Sequence, residues 1–300
     1  LLAALSIWLG VVLVAARWTA IDHPRRRTAP RLALVGLVAA LLVPPAWVLV
    51  RFVFACLSAY ALGRTLDLAW RPHRLGLAER LWFYVSLFDL RQRRRVAPAL
   101  DRRELAWLLG HALLLVLGWQ GVFAWAPRLD GVAHWPARWG SGVLLCYGLV
   151  ETIHAGLWIA HRALGVDVPR INERPILSTT LVEFWGRRWN RVVGGWLRDY
   201  AFMPLARRGK SGLGIAAAFV ASAGLHLWVA ALPLGLRGGV TMAGFFLVQA
   251  LALALERRLG VRRWPAPLRR AWTVTTILAS SPLFVEPMLQ ILAPLARWCA

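Results

Sequence analysis

Seven apolar stretches divide this chain, at 1–18, 32–63, 105–125, 140–161, 212–235, 239–256 and 271–296. A bilayer core takes about 20 apolar residues of helix to cross. With 59% of its 300 residues hydrophobic and 17% charged, a soluble fold of this size would be coated in apolar surface. Lipid removes that difficulty, and no soluble-type block separates the stretches. Residues 1–300 therefore read as one membrane domain, an all-α, polytopic integral membrane protein. The stretch 32–63 is long for one pass and short for two, and Pro44-Pro45 interrupts it. A hairpin or re-entrant pair bent at those prolines keeps the flanking arginines on one side, which predicts about eight transmembrane helices.

The formal charge of +22 is gathered between the apolar runs, as in Arg25-Arg26-Arg27, Arg93-Arg94-Arg95, Arg207-Arg208 with Lys210, Arg262-Arg263 and Arg269-Arg270. That is the positive-inside pattern, not the continuous basic stripe of a nucleic-acid binder. Membrane lipids with anionic head groups are the expected partners, and nucleic acid is not. Segments 64–103, 162–211 and 257–270 are predicted to be cytoplasmic, and 126–139 to lie outside. The first run reads as an anchor, not a signal-peptide core, because the loop after it is basic. Lys210 is the only lysine, a bias expected of a GC-rich bacterial genome and hence of a bacterial inner membrane. Trp18, Trp135, Trp139, Trp264 and Trp298 fall near predicted interfaces. Cys56, Cys146 and Cys299 show no CxxC spacing, so neither a disulfide framework nor a zinc site is indicated.

Residues 171–206 are neither a span nor an ordinary loop, because they mix large aromatics with charge at helical spacing. Thr180 and Glu183 have the spacing of a capping box after Pro175, so a helix is expected to start near Leu181. On a regular helix Glu183 and Arg187 would pair at i,i+4, Trp185 would approach Trp189, and Asn190 would share the face of Glu183 and Arg187. An amphipathic interfacial helix accounts for the composition equally well. The next span, however, carries His226 about 15 residues into apolar helix, roughly 22 Å along it. An imidazole at that depth needs a cavity or a polar partner and is a functional candidate. Ser222, Ala223 and Gly224 before it allow close packing.

Phe184-Trp185-Gly186-Arg187-Arg188-Trp189-Asn190, followed 36 positions after Asn190 by His226 in the Ser222-x-x-x-His226 element, resembles the signature of wax synthases in the membrane-bound O-acyltransferase superfamily. The specific resemblance covers about 170–230. One departure is Leu227, where the family often has Glu after the histidine, and it bears on substrate class more than on reaction type. The resemblance implies acyl transfer from acyl-coenzyme A, a co-substrate and not a resident cofactor, to a hydrophobic alcohol. His226 is then the general base, since a neutral imidazole accepts a proton near the operating pH and burial favours that form. Asn190 is implied as the second residue, its amide donating to the thioester carbonyl or orienting the acyl donor. Trp185, Arg187, Arg188, Trp189 and Arg191 would bind substrate, with the arginines on the donor phosphates or, alternatively, on lipid head groups.

Glu151 and His154 form an E-x-x-H on a predicted span, half of a di-iron site, but no second such motif is present and no metal is expected. They are read as a pair, or as the lining of an acceptor path. His111, Gln249 and Glu286, also at membrane depth, are read as polar contacts between helices. No G-x-S-x-G or phosphate-binding loop appears. The rival readings are acylation of a sterol-like, terpenoid or glycan hydroxyl, a transporter with a Glu151, His154 and His226 relay, and a structural scaffold.

Overall fold

A computed structural model of the chain describes residues 1–71 and 73–296; Trp298 and Cys299 lie outside them. Among the described residues four helices are long and apolar enough to cross a membrane, Val48–Trp70, Arg102–Arg128, Gly131–Ala163 and Ser211–Arg258, and the pair Ala266–Ser280 and Pro282–Ala296, bent by 48°, makes a fifth if it is one broken span. Length and apolarity thus support four or five spans, fewer than the eight expected from the sequence. The difference has local causes: Leu2–Trp18 and Ala29–Leu41, of 17 and 13 residues, are too short to count as spans, and 212–235 and 239–256 count together as one although the backbone breaks between them at Gly235.

The chain folds as two units. In the first, α1 (Leu2–Trp18), α2 (Ala29–Leu41), α3 (Val48–Trp70) and α4 (Leu77–Val85) pack together. The Pro44-Pro45 break separates α2 from α3, and the two then pack against each other as the expected hairpin does. Arg64 on α3 is fully buried. Its Nη2 donates to the carbonyls of Ser86 and Phe88 at 3.0 and 2.7 Å, and its guanidinium lies 4.1 Å from the Phe83 ring centroid. A buried cation is tolerated there because it satisfies carbonyls where the chain leaves α4.

Residues 224–240 group with this unit and include Gly235, whose φ of 77° is open to glycine but not to other residues at low cost. A Cβ built on Gly239 would lie 2.6 Å from Ala231 Cβ and 2.8 Å from the Leu227 carbonyl oxygen. In a straight helix residues eight and twelve apart are separated by roughly 12 and 18 Å. The chain therefore reverses at Gly235, just after Pro233.

The second unit comprises Gln92–Ala223 and Thr241–Ala300. Its frame is the antiparallel pair α5 (Arg102–Gln120) and α6 (His134–Ala163). Glycines set their spacing: a Cβ on Gly118 would meet Leu145 N at 2.3 Å, and one on Gly148 would meet Leu115 N at 2.5 Å. Only glycine lets two backbones approach so closely. At one end β1 (Arg94–Arg95) pairs with β2 (Val166–Asp167), and Arg270 donates to the Ile176 carbonyl. At the other, Arg138 makes a bidentate ion pair with Glu286 at 2.9 and 3.0 Å. The basic segments 92–101, 162–178 and 262–270 are thereby gathered at one end of this unit. After α6 come the short helices α7 (Leu181–Glu183), α8 (Arg191–Trp196) and α9 (Met203–Ala206), then α10 (Ser211–Arg258), α11 (Ala266–Ser280) and α12 (Pro282–Ala296). Cys56 and Cys146 are free thiols.

Candidate active site

The helix start read from Thr180 is present. Its hydroxyl accepts from the Glu183 N–H at 3.1 Å, and α7 begins at Leu181. The returning half of the box goes to Thr179 instead, whose N–H donates to Glu183 Oε2 at 2.8 Å. Two further N–H groups, of Leu181 and Val182, are taken by the two carboxylate oxygens of Glu256 on α10, at 2.7 and 3.2 Å. A carboxylate facing the first turn of a helix meets donors that have no intrahelical partner.

From Phe184 to Arg188 the chain is a π-helical turn, with i to i+5 bonding. This corrects the expected side-chain register. Glu183 pairs with Arg188 at 2.7 Å and not with Arg187, and Phe184 stacks on Trp189 at 5.6 Å where Trp185 had been expected to approach it. Burial by itself would raise the Glu183 carboxyl, but the bonds from Thr179 and the Arg188 guanidinium outweigh it and hold the group below the usual carboxylate range. Arg187 is left exposed, and Arg191 makes a loose pair with Glu173 at 3.5 Å.

Trp185 is turned into an aromatic cluster, with Phe219, Phe245 and Phe246 at centroid distances of 5.8, 6.0 and 5.9 Å. Its Nε1 donates to Gln249 Oε1 at 3.1 Å, and Gln249 Nε2 donates to Ser280 Oγ at 2.7 Å. Gln249 and Glu286 are thus polar contacts between segments, as expected, and His111 packs between the rings of Trp107 and Tyr147. Glu256 was not singled out in the sequence, where it reads only as the acidic residue before Arg257-Arg258. Replacing Glu256 with alanine leaves two amides at the start of α7 without partners, at about 1–3 kcal/mol each. The detergent-solubilised variant should melt at a clearly lower temperature than the parent; equal melting temperatures would mean that water takes the carboxylate's place.

Asn190 ends the π-helical turn in the left-handed region, at φ 39° and ψ 60°. This conformation costs most residues about 1–2 kcal/mol, and asparagine less. Its Oδ1 accepts from Val193 N–H at 3.3 Å and caps α8, which leaves the amide NH₂ for another acceptor. Its backbone N–H donates to Asn172 Oδ1 at 2.7 Å, and Asn172 Nδ2 donates to Glu151 Oε1 at 2.8 Å. Glu151 and His154 do lie together, with Oε2 3.5 Å from Nδ1. They border a cavity of about 20 Å³ with Glu104, His111, Tyr147 and Asn172. Among the described residues no three His, Cys, Asp or Glu side chains form a metal-binding group. His226 is half-buried on α10 in the first unit, whereas Asn190, Trp185, Arg187, Arg188, Trp189, Arg191 and Ser222 belong to the second.

Residues 168–248 match the model of the membrane bound O-acyl transferase family. The chain is similar to the probable long-chain-alcohol O-fatty-acyltransferase 7 of Arabidopsis thaliana, with 34% identity over 129 residues, 37% of each chain. It is 41% identical over 70 residues to the long-chain-alcohol O-fatty-acyltransferase of Simmondsia chinensis, covering 22% of this chain and 20% of that one. An acyl-CoA–sterol O-acyltransferase of Arabidopsis thaliana is 29% identical over 150 residues, 45% of this chain and 43% of the relative. The chain thus spans less than half the length of these relatives.

Proposed function

We propose that the chain transfers an acyl group from acyl-coenzyme A to a hydrophobic alcohol, forming a wax ester; the reading is supported by the match of residues 168–248 to the model of the membrane bound O-acyl transferase family. The observation that carries this reading is the match itself, which joins the segment from Phe184 to Asn190 to the apolar helix that bears His226. In this reaction the neutral His226 imidazole takes the hydroxyl proton as the alcohol oxygen attacks the thioester carbonyl. The Asn190 amide donates to the oxygen on which charge develops. Collapse of the tetrahedral intermediate breaks the carbon–sulfur bond, and the leaving thiolate takes the proton from His226. Transfer is direct, so no serine or cysteine nucleophile is involved.

The donor is water-soluble at its phosphates and apolar at its chain, and the alcohol is lipid-like, which suits an integral membrane protein. About eight passes are proposed, in a bacterial inner membrane: the reversal at Gly235 makes two helical segments of α10, and α1, α2 and the bent α11–α12 pair supply the remainder. Arg187 and Arg191 carry the exposed charge of the motif and are proposed to hold the donor phosphates, while Arg188 is engaged with Glu183.

Purified protein incubated with labelled acyl-coenzyme A and a panel of fatty, terpenoid and sterol alcohols should give ester with the fatty alcohols foremost. Thioester consumption without ester, or no reaction with any hydroxyl, would overturn the reading. Substituting Gln for both Arg187 and Arg191 should raise the KM for acyl-coenzyme A more than that for the alcohol, and the donor interaction should weaken with salt. An unchanged donor KM would return these residues to lipid head groups.

A further inference from the structure

We infer that Asn172 and Glu151 are positioning residues that hold Asn190 in its left-handed conformation, a role that rests on the proposed part of Asn190 in acyl transfer. The side chain of Asn172 works at both ends. Oδ1 takes the Asn190 backbone N–H at 2.7 Å, and Nδ2 gives to Glu151 Oε1 at 2.8 Å. Glu151 stands on α6, and both it and Asn172 are almost fully buried, at 6% and 2% exposure. A carboxylate within a membrane span is costly and needs a compensating role. Its Oε1 is used to orient Asn172, and through Asn172 it reaches the backbone of a residue 39 positions further along the chain. Two main-chain bonds flank the clamp, Glu173 N–H to the Arg188 carbonyl and Arg191 N–H to the Ile171 carbonyl, both 2.8 Å. Residues 171–173 are thereby laid alongside 188–191, with Asn190 as the point gripped by a side chain. His154, 3.5 Å from Glu151 Oε2, Tyr147, His111 and the Glu104–Arg170 ion pair of 2.7 Å face the same small cavity. That cavity has room for about one water molecule.

The order of donors and acceptors supplies the test. Asn172→Asp keeps an acceptor for the Asn190 N–H but sets a second carboxylate against Glu151. It should lower kcat roughly tenfold to a hundredfold, the scale of a small displacement of a reacting group. The KM values for both substrates should stay within about threefold of the parent, since the loss falls on the transition state. Glu151→Gln alone still offers an amide oxygen to Asn172 and should lose less. Combining Glu151→Gln with Asn172→Asp restores the chain with one bond reversed, the new amide donating to the new carboxylate, and should recover most of the lost kcat. In an Asn190→Gly background Asn172→Asp should add no further loss in kcat, because the group being positioned is gone. If Asn172→Asp does not fold, Glu151→Leu removes the acceptor directly, and its loss must likewise vanish in the Asn190→Gly background. A folded Asn172→Asp protein with parental kcat, or a loss that persists undiminished without the Asn190 amide, would overturn the inference. Full activity of Asn190→Gly itself would instead remove the reading of Asn190 on which it rests.

Discussion

His226→Ala should lower kcat by roughly 10²–10⁴ while the protein still inserts and still binds acyl-coenzyme A, because a positioned base contributes a factor of that size to proton transfer. The histidine is half-buried in the apolar run of α10, and its neighbours Leu225, Leu227 and Trp228 offer no titratable group to replace it. The measurement is single-turnover ester formation in detergent or nanodiscs, with donor binding followed separately. Near-parental transfer by a well-folded His226→Ala protein would rule out the base mechanism. Loss of donor binding together with rate would show instead that the substitution disturbs the helix.

Asn190 presents the second large effect, and its local structure dictates which substitution is informative. Alanine would remove the amide, but it would also strip the cap from α8, at about 0.5–2 kcal/mol, and place a less tolerant residue at φ 39°. Glycine adopts the left-handed region freely and costs only a few tenths of a kcal/mol as a cap. Asn190→Gly should therefore melt close to the parent yet lose roughly 10²–10³ in kcat, the cost of removing one donor to a developing oxyanion. Both residues would act on one transition state, so Asn190→Gly combined with His226→Ala should lose less than the product of the single losses. Strict additivity would separate the two roles and leave Asn190 as a donor-binding or structural group. Near-normal turnover by Asn190→Gly would remove its amide from the chemistry altogether.

Much of the architecture was legible because it depends on composition over a turn or more. The apolar runs marked the helices, Pro44-Pro45 marked the break between α2 and α3, and Thr180 with Glu183 marked the start of α7. The polar contacts of Gln249 and Glu286 and the approach of Glu151 to His154 followed from the cost of isolated polar groups in an apolar span. The side-chain register of the motif was not legible, because it was reasoned at 3.6 residues per turn. The π-helical turn at Phe184–Arg188 moves each partner one position on, from Arg187 to Arg188 for Glu183, and makes Phe184 the partner of Trp189.

Sequence alone determined what is local or periodic: a membrane solvent, helices, their breaks, and a motif that resembles the wax synthase signature. Tertiary structure decided which distant groups complete that motif. Glu256 closes the amides of α7 from 75 and 74 positions away, and Asn172 and Glu151 hold Asn190 from 18 and 39. Such pairings depend on how each helix is rotated and how closely it packs. Those are set by contacts such as Gly118 on Leu145 and Gly148 on Leu115, where the missing side chains fix the approach of α5 to α6. A lone glutamate or asparagine in a sequence carries no record of the partner that packing will bring to it.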